Sequence, residues 1–127
     1  MEISHREAII VNYLHAYNTF DVEGMVAYFD VGIVFTNYSN GEINLKLDGV
    51  AAFRAQAEQA KTFFSERTQS IKSFQHHDNK TEVEINYQGI LAIDLPNGLK
   101  KGDNLRLEGK SIFTFSGDKV TELIDIS

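Results

Sequence analysis

Tyr13-Leu14-His15-Ala16-Tyr17-Asn18-Thr19-Phe20-Asp21-Val22-Glu23-Gly24-Met25-Val26-Ala27-Tyr28-Phe29 is the centre of a stretch, Ile9 to Asn37, whose reading decides the fold. Ile10, Tyr13, Leu14 and Tyr17 recur at helical spacing and define one apolar stripe. Asn18-Thr19 breaks that helix, and Asp21 offers an N-cap for a second, short one with Val22, Met25, Val26 and Phe29 on its apolar face. Asp30 and Gly32 are read as its end. From Ile33 the period changes to two, with Ile33, Phe35 and Asn37 on one strand face and Val34, Thr36 and Tyr38 on the other.

Upstream, Ser4 and Glu7 have the spacing of a capping box, which predicts the start of the first helix. Downstream, Ser39-Asn40-Gly41 is a turn signal, with Ile43, Leu45 and Leu47 alternating after it as a hairpin partner. Asp48 is positioned to cap a third helix from about Gly49 to Glu66, with Val50, Phe53, Ala57, Ala60 and Phe64 as its stripe. The second half reads as strand after strand: Gln69 to His76, Thr81 to about Ile93, a face of Leu105, Leu107, Gly109, Ser111, Phe113 and Phe115, and Val120 to Ile126. The order α-α-β-β-α-β-β-β-β predicts an α+β fold, a strongly curved antiparallel sheet wrapped around three helices from the N-terminal half, with a pocket between sheet and first helix.

The 127 residues amount to one domain, 1–127, with the composition of an ordinary globular protein: 43% hydrophobic and 24% charged. A net charge of −6, with no basic cluster beyond Lys100-Lys101, argues against nucleic-acid binding. The chain has no cysteine, hence no disulfide or thiolate metal site. No apolar run approaches the roughly 20 residues of a membrane span, and the N-terminus lacks the apolar core of a signal peptide, so a cytoplasmic protein is expected. His76 and His77 are adjacent on a strand and point to opposite faces, so no metal site is expected there. No nucleophilic triad or glycine-rich phosphate loop can be assembled.

The element order resembles the nuclear transport factor 2-like superfamily. So do the helix pair Ala16-Tyr17-Asn18-Thr19-Phe20-Asp21-Val22-Glu23-Gly24-Met25-Val26, the late Tyr87-Gln88-Gly89 and the Phe113-Thr114-Phe115-Ser116-Gly117-Asp118-Lys119-Val120 turn. Within it the chain is most similar to the SnoaL-like polyketide cyclase and ketosteroid isomerase branch. The resemblance implies a cone-shaped α+β barrel, commonly a homodimer, on a scaffold that hosts many activities. Tyr13 matches the helix tyrosine that donates to the substrate oxyanion in ketosteroid isomerases. Asn37 falls where those enzymes keep a proton-carrying carboxylate, and an amide cannot do that work. Their second oxyanion donor falls at Ser111. In SnoaL-type cyclases the acid/base lies on the final strand, and the count from Val120 lands on Asp125; the assisting histidine again falls at Ser111, and Asn37 matches a contributing asparagine.

Strict alternation from Val120 conflicts with that last match. It groups Val120, Glu122, Ile124 and Ile126 and turns Asp125 to the opposite face unless a bulge intervenes. The candidate catalytic residues are therefore Asp125, Tyr13 and Asn37. The candidate ligand pocket is lined by Tyr13, Tyr17, Phe35, Asn37, Phe53, Tyr87, Ser111 and Phe113. The function expected is binding of a small hydrophobic molecule bearing a carbonyl or hydroxyl, with cofactor-free proton transfer of isomerase, cyclase or dehydratase type. The alternative is a non-catalytic dimerisation or interaction module, or an accessory subunit. Val34, Ile112 and Ile124 are expected on an outer sheet face that pairs two subunits.

Overall fold

The computed structural model describes residues 2–127. Its elements are α1 (Ile3–Asn18), α2 (Val22–Val26), β1 (Phe29–Ser39), β2 (Glu42–Asp48), α3 (Val50–Ala60), β3 (Phe64–His76), β4 (Lys80–Leu91), β5 (Asn104–Ser116) and β6 (Lys119–Ile126). The expected order and α+β class are what the chain adopts. The six strands form one open mixed sheet, β2-β1-β6-β5-β4-β3. Every pairing is antiparallel except β1 with β6, which is parallel.

Local chemistry explains most boundaries and corrects some expectations. Helix α1 starts at Ile3 with Glu2 in the N-cap position and no side-chain cap, so Ser4 lies inside the first turn. Glu7 does not close a capping box; its carboxylate meets His76 Nε2 at 2.7 Å. Asp21 does cap α2, its Oδ1 accepting from the Gly24 amide at 3.0 Å. Phe29 already belongs to β1, which runs through Asp30 and Gly32. Asp48 stays in β2, paired with Val34, and the N-cap of α3 is Gly49 at φ 92°, whose amide donates to the Ile33 carbonyl. Helix α3 stops at Ala60 and a 3-10 turn, Lys61–Phe63, leads into β3 five residues before the expected strand start at Gln69. Phe64 fits either reading because it points inward from a strand as it would from a helix; pairing with Leu91 decides for the strand.

The inner face of the sheet and α1 enclose the core. Ile10, Ile33, Val83, Phe113, Val120 and Leu123 are fully buried. Tyr13 lies between two rings, stacked on Phe29 at 5.6 Å and edge-on to Phe113 at 5.6 Å. Buried polar groups tie the helix to the sheet. Arg6 Nη1 donates to the carbonyls of His77 (2.7 Å) and Lys80 (3.2 Å), and Nη2 donates to that of Asp78, which fixes the β3–β4 turn. Asn18 bridges to Gln69 in both directions, Nδ2 to its carbonyl at 3.2 Å and Oδ1 from its amide at 2.8 Å.

One irregularity sets the face of the last strand. Phe115 pairs with Val120 and Thr114 with Glu122, so β6 has one more residue than β5 across this step and Thr121 is the bulge. The extra residue shifts the phase by one. Val120 faces in, and after the bulge Leu123 and Asp125 face in, opposite Phe113 and Ser111. Strict alternation from Val120 therefore fails, and Ile124 takes the outer face with its partners Thr36 and Ile112.

At the far end of the same strand pair β5 comes unusually close to β6. A Cβ on Gly109 would stand 2.5 Å from the Ile126 carbonyl oxygen, a backbone atom that cannot turn aside. Gly109→Ala is expected to lower stability by about 1–3 kcal/mol through that overpacking, read as a shift of the urea midpoint at unchanged slope. An unchanged midpoint would show that the two strands separate freely there.

Candidate functional site between helix and sheet

The site begins as a row across the sheet. Leu45, Asn37, Asp125, Ser111, Val83 and Phe74 are successive partners from β2 to β3. Three adjacent polar residues thus stand in the middle of an otherwise apolar row, under α1. Ser111 Oγ donates to Asp125 Oδ1 at 2.7 Å. Asn37 Nδ2 donates instead to Asn44 Oδ1 on β2 at 2.6 Å. The other carboxyl oxygen, Oδ2, has no hydrogen-bond partner among the described residues, and neither does the Tyr13 hydroxyl.

Two chambers meet at this row. The inner one, about 290 Å³, is walled by Tyr13, Phe35, Leu47, Phe53 and Arg67. The outer one, about 510 Å³, includes Tyr87, Leu107 and Ser111. Tyr17, Asn37, Phe64 and Asp125 border both, so the carboxyl stands at their junction. Most of the proposed lining is brought together; Phe113 is not part of it. Its ring is wholly buried and borders neither chamber, because the Tyr13 ring lies over it.

Burial governs the electrostatics. Asp125 is partly accessible, through the two chambers it borders, and is otherwise packed in protein. Desolvation raises its pKa from 3.8 to about 6, against the smaller opposing effect of the Ser111 hydrogen bond. Desolvation, reinforced by the nearby Asp125 charge, pushes the Tyr13 phenol well above its ordinary value, so it remains a donor at every physiological pH. Tyr17 is raised by burial too; its hydroxyl donates to that of Tyr87 at 3.0 Å, and Tyr87 is likewise raised by burial. The arrangement can present one hydroxyl and one proton-exchanging carboxyl to a molecule held on aromatic walls.

Arg67, and Phe64 beyond its place on the expected helix stripe, were not foreseen as lining the site. Both fall in the segment taken for the end of α3 or the connection after it, and no apolar neighbour pattern marks Arg67 as buried. Its side chain is nevertheless 4% exposed and borders the inner chamber. Phe64 lies across β4 where Gly89 has no side chain; a Cβ there would meet its ring at 2.9 Å. His76 is occupied by Glu7 and Thr81, and His77 bonds Glu82, so the two histidines serve separate pairs. No helix among the described residues is long and apolar enough to cross a membrane.

Comparison with known proteins agrees with this architecture. Among solved structures, a protein from Xanthomonas campestris pv. campestris provisionally described as a polyketide cyclase superposes with a TM-score of 0.81 at 16% identity, covering 98% of this chain and 90% of that one. A protein of ketosteroid isomerase-like fold from Catenulispora acidiphila, in complex with trimethylamine, gives 0.76 at 11%, covering 92% and 82%. TerC, co-crystallised with polyporic acid, gives 0.76 at 15%, covering 96% and 90%. At such identities the likeness is one of fold. A search of curated proteins finds no significant match. The family model of the SnoaL-like domain matches residues 10–123. With nearly the whole fold inside that match, the chain belongs to the SnoaL-like domain family.

Proposed function

We propose that the protein binds a small, largely apolar molecule carrying a carbonyl or hydroxyl in the chambers under α1 and moves a proton on the carbon next to it. The observation that carries this reading is the Asp125 carboxyl, held at the junction of both chambers with one oxygen unpartnered and a pKa raised to about 6. A carboxyl tuned close to working pH can take a proton from carbon and return it. The Tyr13 hydroxyl, unpartnered in the same wall, donates to the oxygen on which charge develops. Ser111 orients Asp125 rather than the ligand, and Asn37, engaged with Asn44, shapes the wall beside it. The polyketide cyclase description of one structural neighbour and the polyporic acid bound to another are in keeping with a cyclic, oxygenated ligand.

We further propose that the protein is a homodimer through the outer face of the sheet, where Val34, Ile112 and Ile124 form a half-buried apolar patch next to Thr36. A bare patch of this kind favours a second copy. The expectation is a dimer in sedimentation at micromolar concentration and a monomer for Ile124→Asp; a wild-type monomer overturns it.

The proton-transfer reading is tested with the bicyclic ketone 2-tetralone in deuterated buffer. The wild type is expected to accelerate exchange of its C1 protons above the buffer rate. Asp125→Asn should lower that rate by about 10²–10⁴-fold and Tyr13→Phe by roughly tenfold or more, with binding kept in both. Because the base works when ionised, the rate should rise with pH through about 6 and level off above it. Bound 2-tetralone with no enhanced exchange would leave a binding protein.

The same carboxyl makes a prediction that needs no substrate. A folded-state pKa raised from 3.8 to about 6 means that the native state holds a proton which the unfolded chain has lost between those values. Stability therefore falls as pH rises through this window, and the full penalty is present above it. After allowance for contact with solvent in the chambers, Asp125→Asn should gain about 1–2 kcal/mol at neutral pH, a gain that fades toward pH 4 in thermal melts. A gain independent of pH would place its origin elsewhere.

A further inference from the structure

The inner chamber also holds a fixed positive charge that the proton-transfer reading does not use. Arg67 borders it, buried to 4% exposure. Its Nε donates to the Tyr17 carbonyl at 2.8 Å, and its guanidinium carbon lies 3.7 Å from the Tyr17 ring centre and 4.6 Å from that of Phe20. These contacts use one of the five N–H donors of a guanidinium. Nη1 and Nη2 carry the other four and make no hydrogen bond of ordinary geometry to any described residue, the Tyr17 hydroxyl being only a weak further contact, and Nη2 is fully buried. No carboxylate among the described residues forms an ion pair with Arg67.

The other buried arginine shows what a purely structural role looks like in this protein. Arg6, 6% exposed, has both Nη atoms on backbone carbonyls of the β3–β4 turn and leaves only its Nε without a partner. Arg67 has a single carbonyl at the C-terminal turn of α1 and two aromatic faces. These offset part of the cost of burying a cation, which amounts to several kcal/mol for an ion without a partner. A residue needed only to close the helix end could do so with its remaining nitrogens in water. Here Nη2 stays fully inside, and the residue borders a chamber walled by Phe35, Phe53 and Leu47.

We propose that Arg67 anchors a carboxylate of the ligand, so that the chambers take a small cyclic acid whose carbonyl or hydroxyl reaches Tyr13 and Asp125. This inference rests on the reading of the chambers as a ligand site. With Nε on the Tyr17 carbonyl and Nη2 fully buried, Nη1 is the nitrogen left to donate to a carboxylate oxygen, and a charge-assisted bond of this kind strengthens where water is excluded. The apolar walls take the ring system, and a bicyclic acid suits a chamber of about 290 Å³. Asp125 borders the same chamber and opposes an anion when ionised, so the preference measured is net of that repulsion.

The test compares 2-naphthoate with methyl 2-naphthoate, which share size and ring but differ in charge, titrated calorimetrically into the full chain at neutral pH. The acid is expected to bind at least about tenfold more tightly than the ester. In Arg67→Met the two should converge while affinity for the ester is kept. The Arg67 Nε–H resonance, assigned with Arg67→Lys, should move with the acid and not with the ester, a readout that survives if Arg67→Met fails to fold. Equal affinities in the wild type, or a preference kept in Arg67→Met, would overturn the anchor and leave the ligand site standing. No binding of either compound would overturn both.

Discussion

A single extra residue in the last strand decides what this sheet can do. Thr121 has no partner on β5, and the slip it introduces passes the inward face from Val120 to Leu123 and Asp125. Without it the same strand would send Glu122 and two isoleucines under α1 and leave the aspartate outside. Strand period is two, so a slip of one residue exchanges the faces completely. The bulge sits next to Phe115 and Thr114, and the Thr121 hydroxyl reaches the Thr114 carbonyl at 3.4 Å, a long contact that marks where the ladder is interrupted. The polar row, the two chambers and the tuning of the carboxyl all lie downstream of that slip.

The interior carries two kinds of polar group. Some are paired and structural: the Arg6 Nη atoms on the hairpin turn, Asn18 on Gln69, Thr81 with His76. Others are left short of partners around one space: Asp125 Oδ2, the Tyr13 hydroxyl and the Nη atoms of Arg67. Buried groups without partners cost stability; Arg6 Nε and the Thr114 hydroxyl are two more that lie away from the chambers, so what marks the site is the meeting of three such groups around one space. A fold that accepts such a local cost keeps polar groups ready for a molecule that is not part of the chain.

The fold was legible because its signals are local. The helical stripe through Tyr13, the change to period two at Ile33 and the Asp21 cap each act within a few residues, and the elements follow them. What failed was also local in kind: Ser4 and Asp48 have the right chemistry for caps, but α1 starts one residue before Ser4, with Glu2 in the cap position, and β2 pairing and the Gly49 amide on Ile33 claim the start of α3. The inward side of Asp125 was undecidable from alternation because a bulge of one residue at Thr121 has no composition signal of its own. Arg67 was invisible for a different reason. Its burial comes from Tyr17 and Phe20, some fifty residues earlier in the chain, and nothing in Glu66-Arg67-Thr68 announces them.

The one parallel pairing has a consequence for how the molecule is made. Strand β6 lies between β1 and β5, so it alone joins the β2-β1 hairpin to the β5-β4-β3 meander. Both of those pieces form from neighbours in sequence, whereas Asn37 meets Asp125 only after the longest loop in the topology has closed. Such non-local closure is the slow part of folding. The strand that completes the sheet is also the strand that carries the carboxyl. The polar row from Asn37 to Ser111 is thus complete only once this closure has been made, and two half-sheets that had not met would hold its residues apart.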